Sequence, residues 1–277
     1  HDKEKDKHDN SGYHLIVLAK NYNGYKNLIK LVSHAWVDGY YYKPRTDREE
    51  LEKYHEDLIV CSACIAGEVP NKIIRGDIEG AREACEWYHR VFGDDYYLEL
   101  QRHEVKDPTL VANREAYPLQ QKANKVLMQF AKEYGIKLVC TNDCHFEDKE
   151  TAEAHDHLLC LSTNEDLDDP KRMRYSKQEW FKTRQEMNEV FSDVPEAMAN
   201  TLEILDKIET YSIDHGPIMP FFPIPESFGT EEEWEKKFTE ADLYKEFTTD
   251  ENGLNPLSEE EGKKVIARLG GYEKIYR

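Results

Sequence analysis

Strand-length apolar runs alternate with longer segments of helical spacing through the first half of the chain, and this alternation limits the fold more than any other feature. The run His14-Leu-Ile-Val-Leu-Ala has the length and apolarity of a strand, and Leu28, Leu31, Val32 and Ala35 then recur at helical spacing between Asn27 and Val37. A charged helical stretch, Asp47 to His55, leads into a second apolar run, Leu58-Ile-Val-Cys-Ser-Ala. Helices are predicted over Val69 to Ile74 and over Ile78 to Phe92, the latter with Ile78, Ala81, Cys85, Tyr88 and Val91 along one face. Asp95 to Leu100 reads as the third strand. From Tyr117 to Tyr134 a long helix places Leu119, Ala123, Val126, Leu127, Phe130 and Ala131 together, and Gly135 stands where a C-terminal cap is wanted. Ile136 to Cys140 is the fourth strand. Because a parallel crossover needs a connection of helix length, the expected architecture is α/β with a repeating βα unit.

Past residue 150 the pattern becomes helical, at Thr151 to Leu161, Gln185 to Val190 and Val194 to Ile208. Pro217, Pro220, Pro223 and Pro225 come next; they suit neither helix interior nor central strand and are expected to form a linker. The remainder is acidic and then helical, with a segment at Glu259 to Leu269. Three parts are expected: a polar start at 1–12, a main domain at 13–215, and a last part at 216–277 that opens with the Pro-rich linker.

The 37 Lys and Arg against 56 Asp and Glu give a formal charge of −19, which argues against a surface that wraps nucleic acid unaided. No stretch approaches the roughly 20 apolar residues of a spanning helix, so no membrane partner is expected. Six irregularly spaced cysteines read as free thiols of a cytoplasmic protein. The opening His-Asp-Lys-Glu-Lys-Asp-Lys-His-Asp has neither an initiator Met nor an apolar signal region, and is expected to lie within a longer polypeptide.

Strand ends are where βα folds present functional side chains. Cys64 follows the second strand, Glu99 lies at the end of the third, and Asn142, Asp143 and His145 follow the fourth. Alternate residues of an extended segment point to one side, so Asp143 and His145 can reach one ion. Each candidate has a plainer alternative. Asp143 and His145 also suit a turn residue and a surface imidazole; Cys64 suits a small core residue; Glu99 suits an ion pair with Arg102. His14 precedes its strand, and the strand-end rule leaves it at an edge. His155 and His157 are two apart on a helix, so at most one can join the Asp143 and His145 pair. Lys43 and Arg45 form a basic cluster that fits either a phosphate or solvent.

Five segments carry a family resemblance: Tyr-His-Leu-Ile-Val-Leu-Ala-Lys-Asn, Ser-Ala-Cys-Ile-Ala-Gly-Glu, Tyr-Leu-Glu-Leu-Gln-Arg-His, Cys-Thr-Asn-Asp-Cys-His-Phe and Ala-His-Asp-His-Leu-Leu-Cys. In that order they resemble the amino-terminal region of bacterial replicative DNA polymerase III alpha subunits, and the likeness continues through Leu-Asp-Asp-Pro-Lys-Arg-Met-Arg-Tyr to Met-Pro-Phe-Phe-Pro-Ile-Pro. The resemblance implies a PHP domain (polymerase and histidinol phosphatase) over 13–215, a distorted (β/α)7 barrel incomplete on its N-terminal side, and the start of the polymerase core within 216–277. It assigns His14, Cys64, Asp143 and His145 as metal ligands, with zinc or manganese as the ion. The earlier ligands of the family have no counterpart here. Glu99, His103 and Asn142 are then expected beside the metals, while Lys43 and Arg45 stay phosphate candidates on their own chemistry alone. The implied activity is metal-dependent phosphoester hydrolysis of the 3′-5′ exonuclease kind; the alternative is an inactive module that stabilises the polymerase and docks a proofreading exonuclease subunit. Other implied partners are DNA, through a magnesium-dependent parent polymerase, and the remaining replicase subunits. The polymerase carboxylates are expected beyond Arg277.

Overall fold

The computed structural model describes residues 12–217, 227, 229–250, 252, 254 and 257–275. The chain divides into two compact units, His1–Asp214 and His215–Arg277.

The first unit runs β1 (Ile16–Ala19), α1 (Tyr22–Val37), α2 (Arg48–Lys53), β2 (Leu58–Cys61), α3 (Glu68–Arg75), α4 (Ile78–Phe92), β3 (Tyr96–Leu100), α5 (Ala116–Tyr134), β4 (Lys137–Cys140), α6 (Ala152–Thr163), α7 (Arg184–Val190) and α8 (Pro195–Asp206). Its four strands form one sheet in the order β1-β2-β3-β4. β2, β3 and β4 are parallel, with Cys61 opposite Tyr97 and Leu100 opposite Cys140. β1 departs from the expected parallel repeat: it is antiparallel to β2, with Ile16 opposite Cys61. A helix-length connection permits a parallel crossover without requiring one, which is why spacing did not reveal the reversal.

Both faces of the sheet are covered, and the strand period of two distributes the side chains. Leu58, Val60, Tyr96, Leu98 and Leu100 face the main core with Ala81, Cys85, Leu127 and Phe130 from α4 and α5. Ile59, Cys61, Tyr97 and Val139 face the other way, with Ile204 of α8 against them. α8 is tied to that face by Asn200 Nδ2 donating to the Leu138 carbonyl at 2.8 Å and by the Tyr97 hydroxyl donating to Glu203 at 2.7 Å. Leu119, expected on the apolar face of α5, is exposed. The first turn of that helix instead buries Gln120, whose amide satisfies His103.

α1 begins five residues before the periodic apolar pattern, because Asn21 caps it by accepting from the Gly24 N–H at 3.0 Å. Gly24 is tolerated inside the helix by close packing: a Cβ there would lie 2.2 Å from the Asp57 carbonyl oxygen. Alanine should gain about 1 kcal/mol of helix propensity over glycine, whereas relieving a backbone clash costs about 1–3 kcal/mol. We therefore expect Gly24→Ala to lower the urea midpoint, and a raised midpoint would show that the α1–Asp57 approach is looser in solution.

The second unit comprises α9 (Glu231–Lys237), α10 (Glu240–Thr248), α11 (Glu259–Arg268) and α12 (Tyr272–Ile275). Capping boxes at Thr239/Asp242 and Ser258/Glu261 start α10 and α11. Of the expected linker prolines, Pro220, Pro223 and Pro225 lie outside the described residues. Among the described residues no helix is long and apolar enough to cross a membrane.

Candidate metal centre

The antiparallel β1 brings the start of its own strand beside the carboxyl end of β2. His14 accordingly pairs with Gly67 in an isolated bridge, its N–H donating to the Ala66 carbonyl at 3.1 Å. It thus reaches the rim to which Cys64 and the residues after β4 belong, although it precedes its strand. The strand-end rule passed over it by assuming that every strand runs the same way.

After β2 the chain turns sharply at Ala63, whose φ of 61° lies in the left-handed region. That conformation costs a β-carbon residue roughly 1 kcal/mol or more, so something must hold it. The holder is Glu99: its Oε1 accepts from the Ala63 N–H at 2.6 Å and its Oε2 from the Thr141 hydroxyl at 2.7 Å. Burial raises the Glu99 carboxyl above its usual range, against those two hydrogen bonds. The alternative pairing with Arg102 is not formed, since that guanidinium grips Asp193 at 2.5 and 2.8 Å. Glu99 therefore ties the loop after β2 to the loop after β4 from beneath the rim.

Asp143, at φ 44°, turns the loop after β4, and the His145 N–H donates to the Glu179 carbonyl at 2.8 Å. The four expected ligands form two pairs. Cys64 Sγ lies 3.5 Å from His14 Nδ1, and His145 Nε2 lies 3.6 Å from Asp143 Oδ1. Both pairs line one cavity of about 300 Å3, with Gln101, His103, Arg174, Tyr175 and Glu179. Two ligands on one tetrahedral zinc, with bonds of about 2.1 Å to nitrogen and 2.3 Å to sulfur, lie roughly 3.6 Å apart. Each pair therefore has ligand spacing. Among the described residues, however, no three His, Cys, Asp or Glu side chains are close enough to hold one ion. Burial pushes the Cys64 thiol up, and the charge of Asp143 adds to this, so a cation is what would favour its thiolate.

Around these pairs the wall is polar and largely satisfied. Gln120 Nε2 donates to His103 Nδ1 at 2.9 Å, which leaves His103 Nε2 to donate to the Asn142 carbonyl at 3.1 Å. Glu179 Oε1 lies 3.3 Å from the same Nδ1 and attracts a proton there, yet burial holds the basicity of His103 down. We take the ring as neutral, because Glu179 is already supplied by the N–H groups of Ser176 and Gln178 at 3.0 and 2.9 Å. Asn142 Nδ2 donates to the carbonyls of Gln178 and Trp180 at 2.9 and 2.8 Å, fastening the Asp143 loop to the segment before α7. Gln101 Nε2 donates to Thr141, while its Oε1 is buried without a partner. An orphaned acceptor on the wall is matched by a ligand that brings a donor, such as a bound water.

His155 joins this neighbourhood, its ring 5.9 Å from that of His145 and 5.2 Å from that of Tyr175. His157 instead faces the Glu153 carbonyl at 2.8 Å on an exposed surface. Lys43 and Arg45 do not line the cavity. Arg45 donates to the Tyr41 carbonyl at 2.7 Å and covers the Tyr41 ring at 4.9 Å. Sequence reading missed Gln101, Arg174, Tyr175 and Glu179. Three of them come from the irregular segment between α6 and α7, which has no periodicity to mark it.

Residues 3–103 match the family of the PHP domain, a span that takes in His14, Cys64, Glu99 and His103 and stops short of Asp143. The matched family is the one that the five segments suggested for this part of the chain. Over 89% of its length the chain is 40% identical to DNA polymerase III subunit alpha of Borreliella burgdorferi, covering 21% of that protein. It is 37% identical over 84% of its length to the Treponema pallidum subunit and 34% identical over 89% to that of Thermus aquaticus, covering 19% and 20% of them. These proteins are homologues of this chain, which spans about a fifth of the length of each.

Proposed function

We propose that this chain is a segment of a bacterial DNA polymerase III alpha subunit in which the cavity is a divalent-metal site for phosphoester hydrolysis of the 3′-5′ exonuclease kind. The convergence of two ligand-spaced pairs, His14 with Cys64 and Asp143 with His145, on one cavity carries this reading. In it the first unit is the later part of a (β/α)7 PHP barrel over 13–215, and 216–277 holds a Pro-rich linker and the start of the polymerase core. The mixed nitrogen, sulfur and oxygen donors favour zinc or manganese, whereas the parent polymerase uses magnesium.

A bound metal ion would lower the pKa of a water and offset charge on phosphate oxygens. The residues of the chain do the rest. Gln101 Oε1, buried and unpaired, would accept a hydrogen bond from a donor brought to the wall. Arg174, held by the carbonyls of Asp169 and Pro170 at 2.6 and 3.0 Å, brings positive charge to the wall. His103 and Asn142 fix the Asp143 loop, and Glu99 fixes the Cys64 turn. Lys43 and Arg45 remain candidates for phosphate only outside this cavity.

Zinc and manganese titrations by calorimetry, with 3′-5′ degradation of a labelled single strand, test the proposal. We expect His14→Ala or Asp143→Ala to weaken metal binding at least about tenfold and to abolish degradation. Undiminished degradation by Asp143→Ala would exclude the catalytic reading. One observation favours a second reading: the absence of a three-ligand group among the described residues suits an inactive module that steadies a cytoplasmic replicase, contacts DNA only through the polymerase, and docks a proofreading exonuclease subunit. Absence of zinc and manganese from the protein would select it.

A further inference from the structure

α1 is apolar on two sides. Gly24, Asn27 and Leu31 are buried toward the sheet. A second stripe comprises Tyr22, Tyr25, Ile29, Val32 and Trp36, spaced alternately three and four residues apart. That is the spacing by which one helix presents a seam to another. Ile29, Val32 and Trp36 are 46%, 50% and 57% exposed, although they are the aliphatic and aromatic centre of the stripe. The seam continues past the helix end, where Tyr40 stacks on Trp36 with ring centroids 5.6 Å apart. At its start Tyr211 packs on Tyr22 and Tyr25 at 6.3 and 6.2 Å, and among the described residues the middle and the far end stay exposed.

The charge along this helix is opposite to that of the chain. Between Tyr22 and Val37 there is no Asp or Glu, whereas the whole chain carries a formal charge of −19. Lys26 and Lys30 flank one side of the seam. Among the described residues neither is in an ion pair; Lys26 lies over the Tyr22 ring at 4.7 Å and Lys30 over the Tyr54 ring at 5.3 Å. A continuous apolar seam with an unpaired cationic flank is complementary to one kind of surface.

We propose that the exposed seam of α1 docks an amphipathic helix of a partner protein whose apolar stripe is bordered by carboxylates. Ile29, Val32 and Trp36 interlock with that stripe, and Lys26 and Lys30 meet the acidic border. A single-stranded nucleic acid would also meet lysines and aromatic rings, but the branched aliphatic Ile29 and Val32 at the centre offer no stacking plane. A helical occupant is therefore favoured.

The probe is a fluorescent 21-residue peptide with leucines at heptad seam positions and glutamates beside them, titrated into the 277-residue chain and followed by anisotropy. Controls are a scrambled peptide, a lysine version and an oligothymidylate. Saturable binding of the acidic peptide alone is expected. Trp36→Ala should weaken it about thirtyfold, as loss of a central aromatic anchor does. Lys26→Glu with Lys30→Glu should weaken it about tenfold and make added salt less damaging. All these positions are exposed, and an unchanged circular dichroism spectrum and urea midpoint confirm that each variant is folded. Equal binding of the scrambled peptide, preference for oligothymidylate, no binding at all, or sedimentation as a dimer abolished by Trp36→Ala would each overturn the proposal.

Discussion

Arg172→Met is expected to destabilise the first unit by about 3 kcal/mol, near the low end of what severing a buried ion pair costs. The guanidinium holds Asp156 through two bonds of 2.6 and 2.7 Å, and its Nε donates to the Leu167 carbonyl at 3.0 Å. Both side chains are buried, so the variant leaves a carboxylate with little water. Lys177, 3.8 Å from the same carboxylate, is what keeps the loss from the upper end of the range. Replacing both members, as in Asp156→Leu with Arg172→Met, should recover most of the loss, because the uncompensated charge is then gone. Urea denaturation of the two single variants and the double decides the matter, and a single variant as stable as the wild type would mean that the pair is solvated.

Acid should erase this difference. The hydrogen bonds from Arg172 hold the Asp156 carboxyl below its ordinary range in the folded protein. A depressed carboxyl contributes stability that is complete above its unfolded pKa of about 3.9 and fades as pH falls through the lower folded value. The gap between wild type and Arg172→Met should thus be full at neutral pH and shrink below about pH 4. Since the pair anchors α6 to the segment that supplies Arg174, Tyr175 and Glu179, the wall of the cavity should loosen with it.

Glu99→Ala is the second large effect. It strands the buried Ala63 N–H, which costs about 1–3 kcal/mol, and opens a cavity beneath the rim; together about 3 kcal/mol is expected. The left-handed turn at Ala63 loses its holder, so Cys64 is freed to drift from His14. On the proposed metal-site reading, zinc affinity should fall roughly 10–100-fold, the range for losing a residue that orients a ligand. Glu99→Gln provides the contrast. Its amide oxygen still accepts from Ala63, and the Thr141 hydroxyl can reverse to accept from the new NH2 group, so less than about 1 kcal/mol should be lost. Equal zinc affinity in the wild type and the alanine variant would show that Ala63 holds its turn unaided.

Much of the fold was legible because burial writes a period into the sequence. The runs at Leu58, Tyr96 and Ile136 marked strands covered on both faces, and Gly135 marked the end of α5 at φ 69°. Helix starts were less visible where a cap and not an apolar residue began them, as at Asn21. The direction of β1 could not be read, since an apolar run has the same pattern in either sense. His14 was consequently selected by resemblance alone. Asp143 and His145 were legible as near neighbours, although the left-handed turn at Asp143, and not the expected extended stretch, brings them together, whereas Glu179 and Tyr175 reach the cavity by a loop whose course depends on the Arg172 pair and on Asn142. Glu99 stood out at its strand end but faces the turn at Ala63 and not open cavity, a difference that residue type cannot carry.

The reversal of β1 also sets which part of the rim is easiest to lose. Among the described residues β1 and β4 are the two edges of the sheet; β1 is the less buried of them, and His14 stands at its outer tip. A strand that unzips from that tip releases this imidazole first, while Cys64 stays behind β2 in the sheet interior and Asp143 stays pinned by the contacts of Asn142. Amide hydrogen exchange should then be fastest at β1, and any ion grasped by the rim would slow it there more than elsewhere. Any hold of the rim on an ion would in this sense be a latch closed by an edge strand.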